Sequence, residues 1–353
     1  MIEQKVRAHW EDYVCLGCHY TKESHFRIEG SINWGLSLAN TKNVLITGGF
    51  GFIGAHLTAL LLQNGFCVTL FDSCEWKSSS AAALRLDTNP LVKRVQGSIM
   101  QPNDLESLGS DFHYIVHAAG VLGIKKVAEQ QILTMDVNIL GTRNVLEVAC
   151  RQTELKRYIQ FSTSETYGQF ATSLDEDQPS VIPAQGKRWC YATSKVAGEY
   201  LVKAFASERQ LPSVIVRPFN VYGPYRYGSN ALTTFVKNAI AGEKLIVSGT
   251  GQQTRSWCYV GDFVQGVLAS LQKDGICGQT FNLGNDKNNI SMLDMAKLIC
   301  EIVGSTSEIE VDGLEIDDVL ARKPNIDKAR KLLNYEPKID LRAGIDDVIK
   351  WLR

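Results

Sequence analysis

The sequence predicts an α/β fold, a doubly wound parallel sheet with a smaller C-terminal substrate-binding lobe, and three observations carry that expectation. From Asn43 to about Asn220, short β-branched or apolar runs alternate with amphipathic helical stretches, the pattern of strands covered by crossover helices. The apolar run Asn43-Val-Leu-Ile-Thr47 passes directly into Gly48-Gly-Phe-Gly-Phe-Ile-Gly54, whose glycines allow a strand to turn sharply into a helix. Beyond Asn220 the alternation gives way to a mixed pattern of helices and short strands. The expected frame is of Rossmann type.

The elements follow in chain order. Residues 1 to about 40 form an extension that mixes Trp10, Tyr13, Phe26 and Trp34 with charged residues. The core, residues 41–220, opens with the strand Asn43–Thr47 and a helix over Ala55–Gln63. Further strands are expected at Cys67–Phe71, Tyr114–His117, Tyr158–Phe161 and Ser213–Val216, with helices over Ile132–Cys150 and Trp189–Ala206. Residues 221–353 form the lobe, with a helix near Leu232–Ala241, a strand near Leu245–Val247 and a helical tail over Ser291–Arg353. Some of these segments are expected to return to the core.

Composition narrows the function classes. A chain of 353 residues with 44% apolar content can bury a full α/β core and a lobe beside it. Lys plus Arg (37) nearly balances Asp plus Glu (38), which argues against broad binding to nucleic acid or an anionic membrane. No apolar run approaches the roughly 20 residues of a membrane helix, and Met1-Ile-Glu-Gln-Lys5 lacks a secretion signal. A cytoplasmic location is expected. The nine cysteines are odd in number, and Cys67, Cys150, Cys190 and Cys300 fall in expected core segments, so reduced thiols are expected. In the extension, Cys15, Cys18, His19 and His25 have zinc-ligand chemistry, but no second Cys-x-x-Cys accompanies them. No metal is therefore expected, and the extension is read as packing on the core or on a neighbouring subunit.

The candidate site begins at the glycine turn. Bare backbone at Gly48, Gly51 and Gly54, with Phe52 and Ile53 between the glycines and the N–H groups of the following helix, suits a dinucleotide pyrophosphate. Asp72 ends the next strand eighteen residues beyond Gly54, where a carboxylate accepts from ribose hydroxyls and repels a 2′-phosphate, favouring NAD over NADP. Ser98-Ile99 and Ala118-Ala119 supply small or apolar residues at later strand ends. Tyr191 and Lys195 stand four residues apart on one helix face. The ammonium and an oxidised nicotinamide are expected to lower the phenol from its ordinary value of about 10, as a general base requires.

With these motifs in order, the chain resembles the extended short-chain dehydrogenases/reductases, the group of nucleotide-sugar epimerases, dehydratases and decarboxylases. The resemblance covers about residues 41–353 and also rests on Asp136-Val-Asn138, Ser162-Thr-Ser-Glu-Thr-Tyr-Gly168, Arg217-Pro-Phe-Asn-Val-Tyr-Gly-Pro224, Gln253-Thr-Arg-Ser-Trp-Cys-Tyr259 and Arg322-Lys-Pro324. It implies that Thr163 hydrogen-bonds the sugar hydroxyl, Tyr191 removes its proton and Lys195 orients the nicotinamide ribose. It further places Pro218 by the nicotinamide, Asn220 on the substrate, and Arg255 and Arg322 on a substrate diphosphate. Relatives commonly form homodimers through paired helices, here Ile132–Cys150 and Trp189–Ala206.

The reaction that follows oxidation turns on Thr163-Ser164-Glu165. Similar 4,6-dehydratases carry an Asp-Glu pair after the threonine. Ser164 replaces that acid, and a serine hydroxyl is a poor proton donor. Glu165 remains as a base for the carbon beside the ketone. Thr-Ser-Glu is also the pattern of similar UDP-glucuronate decarboxylases, although Tyr191-Ala-Thr-Ser-Lys195 differs from the Tyr-Asp-Glu-Gly-Lys form of one large group of them. The expected function is an NAD-dependent sugar lyase eliminating water or carbon dioxide. A redox-neutral 4-epimerase and a silent NAD-binding scaffold are the alternatives.

Overall fold

The structure, a computed structural model, describes residues 42–169, 171–228, 230–313 and 319–353. The expectations for the extension, including Cys15, Cys18, His19 and His25, lie outside the described residues. Residues 41–353 cluster as one compact unit.

Seven parallel strands form the main sheet in the order β12-β7-β5-β4-β1-β2-β3. They are β1 (Asn43–Thr47), β2 (Cys67–Asp72), β3 (Val92–Gln96), β4 (Tyr114–His117), β5 (Arg157–Phe161), β7 (Ser213–Pro218) and β12 (Thr280–Leu283). Alternation along the strands feeds both faces. Val44 and Ile46 point into a cluster with Leu57 and Leu61 of α1 (Phe52–Gln63) and with Phe263 and Val267 of Val260–Gln272. Leu45, Ile115 and Tyr158 point to the other face, against Val145 and Leu146 of α2 (Gln131–Cys150) and Val202 of α3 (Trp189–Arg209). Because both faces are covered, the central strands β1 and β4 read as nearly continuous apolar runs.

The chain winds from β1 outward to β3, then crosses back to β4 and outward the other way. The crevice between the carboxyl ends of β1 and β4 is therefore the topological switch point, where open α/β sheets receive ligands. Here α1 begins at Phe52, three residues ahead of the expected Ala55. Gly54 thus belongs to its first turn, and a Cβ there would come within 2.7 Å of Gly48 O.

A second sheet has the order β13-β10-β15-β6. Its strands are β6 (Ala171–Leu174), β10 (Thr254–Ser256), β13 (Asn289–Ser291) and β15 (Ala321–Pro324). Two small pairs complete the strands: β8 (Val221–Tyr222) with β11 (Cys258–Tyr259), and β9 (Leu245–Val247) with β14 (Ile309–Val311). The two large sheets exchange chain: β12 comes from the C-terminal stretch and β6 from the N-terminal one. That exchange depends on pairing between segments far apart in sequence, which local patterning does not carry.

Candidate active site

The glycine turn lies at the switch point. Gly48 has φ +73°, and a Cβ there would meet Ala119 N at 2.7 Å, so the ends of β1 and β4 approach to backbone distance. Gly51 caps α1 without any side-chain hydrogen bond. The first-turn N–H groups, including those of Phe52 and Ile53, thus carry no side-chain cap and suit an anion. Asp72 accepts from Phe50 N–H and from Cys74 N–H, each at 3.0 Å. It anchors the glycine turn, and its carboxylate oxygens retain acceptor capacity toward a ribose. Ser98 Oγ accepts from Met100 N–H, and Ile99 packs where Gly141 leaves room, with its Cδ1 2.5 Å from a Cβ built there. These features fit a dinucleotide.

Next to this cradle stand Thr163, Tyr191 and Lys195. Thr163 caps a short 3-10 turn over Ser164–Tyr167, its Oγ1 accepting from Glu165 N–H at 3.2 Å. Its side chain also hydrogen-bonds the Tyr191 phenol, and this bond favours the ionised form. Ser164 is buried in the same turn. Lys195, one helical turn beyond Tyr191, donates to Phe161 O at 3.0 Å. It lies beside Gly120, where a Cβ would meet Asn138 Oδ1 at 2.9 Å and Lys195 Nζ at 3.3 Å.

One electrostatic expectation requires correction. The chain's own groups raise the Tyr191 phenol above its ordinary value: burial contributes most, the Glu165 charge adds to it, and Thr163 and Arg322 oppose. Lys195 is itself pushed down to about 8 by burial, against the pull of Glu199. Burial and the Glu165 charge outweigh Thr163 and Arg322, so the expected lowering would have to come from the charge of an oxidised cofactor once bound. His117, between Thr47 Oγ1 (2.7 Å) and Thr142 Oγ1 (3.1 Å), is held neutral, with its value lowered to about 3 by burial and Lys195.

Two glutamate–arginine groups adjoin the segment Ser162–Glu165. Glu199 receives a two-pronged contact from Arg217, Nε to Oε1 at 2.8 Å and Nη2 to Oε2 at 2.7 Å, and Ser162 Oγ donates to Oε1 at 2.6 Å. Glu165 instead lies between Arg188 Nη2 (3.5 Å) and Arg322 Nη1 (3.7 Å). Arg188, Glu199 and Arg217 were not singled out from the sequence as site residues. A cation at a helix start, where the dipole disfavours it, was the available signal for Arg188.

The remaining candidates are distributed over the two sheets. Arg255 and Arg322 are register partners across β10 and β15, both buried, and Arg255 Nη1 donates to Thr254 O at 2.8 Å. Arg322 thus meets Glu165 as well as neighbouring Arg255. Asn220, at φ +35°, donates from Nδ2 to Ser256 O at 3.2 Å, and Pro218 ends β7. Among the described residues there is no cluster of metal ligands, and no helix is long and apolar enough to cross a membrane.

Comparison with known proteins agrees with this geometry. The sequence model of the NAD dependent epimerase/dehydratase family matches residues 44–284. The chain belongs to that family. Its cofactor is NAD, as the cradle and its solved neighbours indicate. This family member is 32% identical over 322 residues to a UDP-N-acetyl-alpha-D-glucosaminuronate decarboxylase of Bacillus cytotoxicus, covering 88% of this chain and 98% of that one. It is 31% identical over 322 residues to UDP-glucuronic acid decarboxylase 1 of Xenopus tropicalis, covering 90% and 74%. Among solved structures it resembles a UDP-glucuronic acid 4-epimerase of Bacillus cereus in complex with UDP-glucuronic acid and NAD, with a TM-score of 0.81, 26% identity and coverage of 88% and 98%.

Proposed function

We propose that this protein is an NAD-dependent lyase acting on a nucleotide-linked sugar acid, which it oxidises at a ring hydroxyl and then decarboxylates. The observation that carries the reading is the turn Thr163-Ser164-Glu165 beside Tyr191, with buried Ser164 in place of a proton-donating acid and the Arg322 guanidinium 3.7 Å from the partly exposed Glu165. That setting lacks a donor to protonate a departing hydroxyl from position 164 but suits an anionic substrate. The resemblance to decarboxylases supports the same choice.

The assigned roles follow from the chain's own groups. Gly48, Gly51, Phe52, Ile53, Gly54, Asp72, Ser98, Ile99, Ala118, Ala119 and Pro218 hold the cofactor. Tyr191 takes the hydroxyl proton, with Thr163 stabilising its ionised form and Lys195 orienting the nicotinamide ribose. NAD, when bound, supplies the two-electron sink that accepts hydride from the same carbon. The ketone formed is β to the carboxylate. The bond to the carboxylate carbon then breaks, carbon dioxide leaves, and the electron pair enters the carbonyl to give an enolate that the Tyr191 O–H stabilises. A proton returns to the carbon that lost the carboxylate, with Glu165 and Ser164 beside it, and the hydride would then come back to the ketone carbon as Tyr191 gives its proton to the oxygen, which leaves the cofactor oxidised and makes catalytic NAD sufficient. Arg255, Arg322 and Asn220 hold the rest of the substrate, and residues 221–353 supply most of that lobe, with guanidinium forks suited to phosphate and carboxylate.

We further propose a homodimer through α2 and α3, whose exposed Ile132, Leu133, Leu140 and Tyr200 form an uncovered apolar face. A cytoplasmic enzyme is the accompanying reading, supported by the free thiols of Cys67, Cys150, Cys190, Cys258 and Cys300.

The test is product mass. Purified protein with catalytic NAD and no recycling system is incubated with UDP-glucuronate, UDP-N-acetylglucosaminuronate, UDP-glucose and free nucleosides. Loss of carbon dioxide from an acid supports the reading. Loss of water transfers it to a dehydratase, and an isomer of unchanged mass transfers it to an epimerase.

A further inference from the structure

We propose that Arg188 is a positioning residue for Glu165, holding its carboxylate beside Tyr191 from the start of α3 while Arg322 turns to an anionic group of the substrate. The inference rests on the reading of Glu165 as part of the acid–base group and adds a residue to it.

The geometry of the pairs points this way. Charge-assisted contacts close to about 2.7–2.9 Å when a guanidinium captures a carboxylate, as Arg217 does with Glu199 at 2.7 Å. Glu165 stands at 3.5 Å from Arg188 and 3.7 Å from Arg322, shared between two cations and held fully by neither. The two arginines are not equivalent. Arg188 is only 9% exposed, and its guanidinium lies over the ring of buried Trp189, 5.0 Å from the centroid. It is the N-cap of α3, where the positive end of the helix disfavours a cation. The Glu165 carboxylate offsets that repulsion. Arg322, by contrast, is carried by β15 in register with Arg255. Two guanidinium residues adjacent across a sheet form a place suited to an anionic group of the substrate. When a substrate anion engages Arg322, Arg188 is the cation left to keep Glu165 in place. The Glu165 charge acts on Tyr191, so displacement of this carboxylate would also disturb the phenol.

The test uses the full-length NAD-loaded protein as wild type, Arg188→Ala and Arg188→Lys. Crystal structures of the variants should show the Glu165 carboxylate swinging to Arg322 in Arg188→Ala and closing that contact to about 2.8 Å, with Arg188→Lys intermediate. On whichever nucleotide sugar the wild type consumes, Arg188→Ala should lose about 10²-fold in kcat, the scale of a misplaced catalytic group. KM for NAD should stay unchanged. Added methylguanidinium should restore part of the kcat of Arg188→Ala, which a purely structural role would not permit. An unmoved Glu165 in both variant structures, or an undiminished kcat, overturns the proposal. If Arg188→Ala does not fold, Arg188→Lys carries the same readouts. A wild type that consumes none of the sugars counts against the decarboxylase reading alone, because the position of Glu165 still decides the role of Arg188.

Discussion

Two acidic groups adjoin the segment Ser162–Glu165, and arginine treats them differently. Glu199 on α3 is locked by both prongs of Arg217, by Ser162 Oγ, and by the stacking of Arg217 over Tyr167 at 4.7 Å. That network continues through Arg217 Nη1 to Glu176 O, and through Glu176 Oε1, which accepts from Asn282 N–H, to β12. It ties strand ends together and places the turn that begins at Thr163. Glu165 is loosely shared between Arg188 and Arg322 and is 21% exposed. The same pair of residue types serves once as a closed structural clamp and once as an open charged cluster facing the reaction. Contact length and burial, not residue identity, separate the two.

The comparison is broken most directly at the closed pair. Replacing Glu199 with Ala leaves the Arg217 charge buried and uncompensated, and should cost about 3–5 kcal/mol of stability, read by denaturant unfolding. Glu165→Gln should act mainly on turnover, lowering kcat about 10²-fold while costing less stability than Glu199→Ala, because Arg188 and Arg322 hold this carboxylate only at 3.5 and 3.7 Å. Equal stability losses at the two glutamates would erase the distinction. A smaller effect, about 1.5–3 kcal/mol, is expected for Ser162→Ala, which removes a hydrogen bond to the buried carboxylate. It should leave KM for NAD unchanged in steady-state assays.

The smallest effect is a trend with pH at Lys195. Its folded value is lowered to about 8 from 10.5, so between those values the unfolded chain binds more protons than the folded one. Stability of the wild type relative to Lys195→Met should therefore rise from about pH 8 to about 10.5, and below pH 8 the cost of the buried ammonium is fully present. Turnover should fall over the same upward range as the ribose-orienting charge is lost. Unfolding curves and pH–rate profiles of both proteins check this, and a pH-independent difference would place the ammonium elsewhere.

Much of this molecule is legible along the chain. Local patterning predicts the strands at Cys67, Tyr114, Tyr158 and Ser213, the glycine turn, and the helix that carries Tyr191 and Lys195 four residues apart, because each depends on near neighbours and a fixed period. Asp72 is found the same way, since strand-end position is itself a local signal, whereas Thr163 is reached through the family resemblance. The sequence alone thus determines the fold class, the glycine turn and the helix that carries Tyr191 and Lys195. Tertiary structure alone decides that β6 and β12 change sheets, that Arg255 and Arg322 become register neighbours, that burial raises Tyr191 against the local cation, and that Arg188 meets Glu165 while Arg217 locks Glu199. Each of these depends on distance and dielectric between segments remote in the chain, quantities that exist only once the chain has folded.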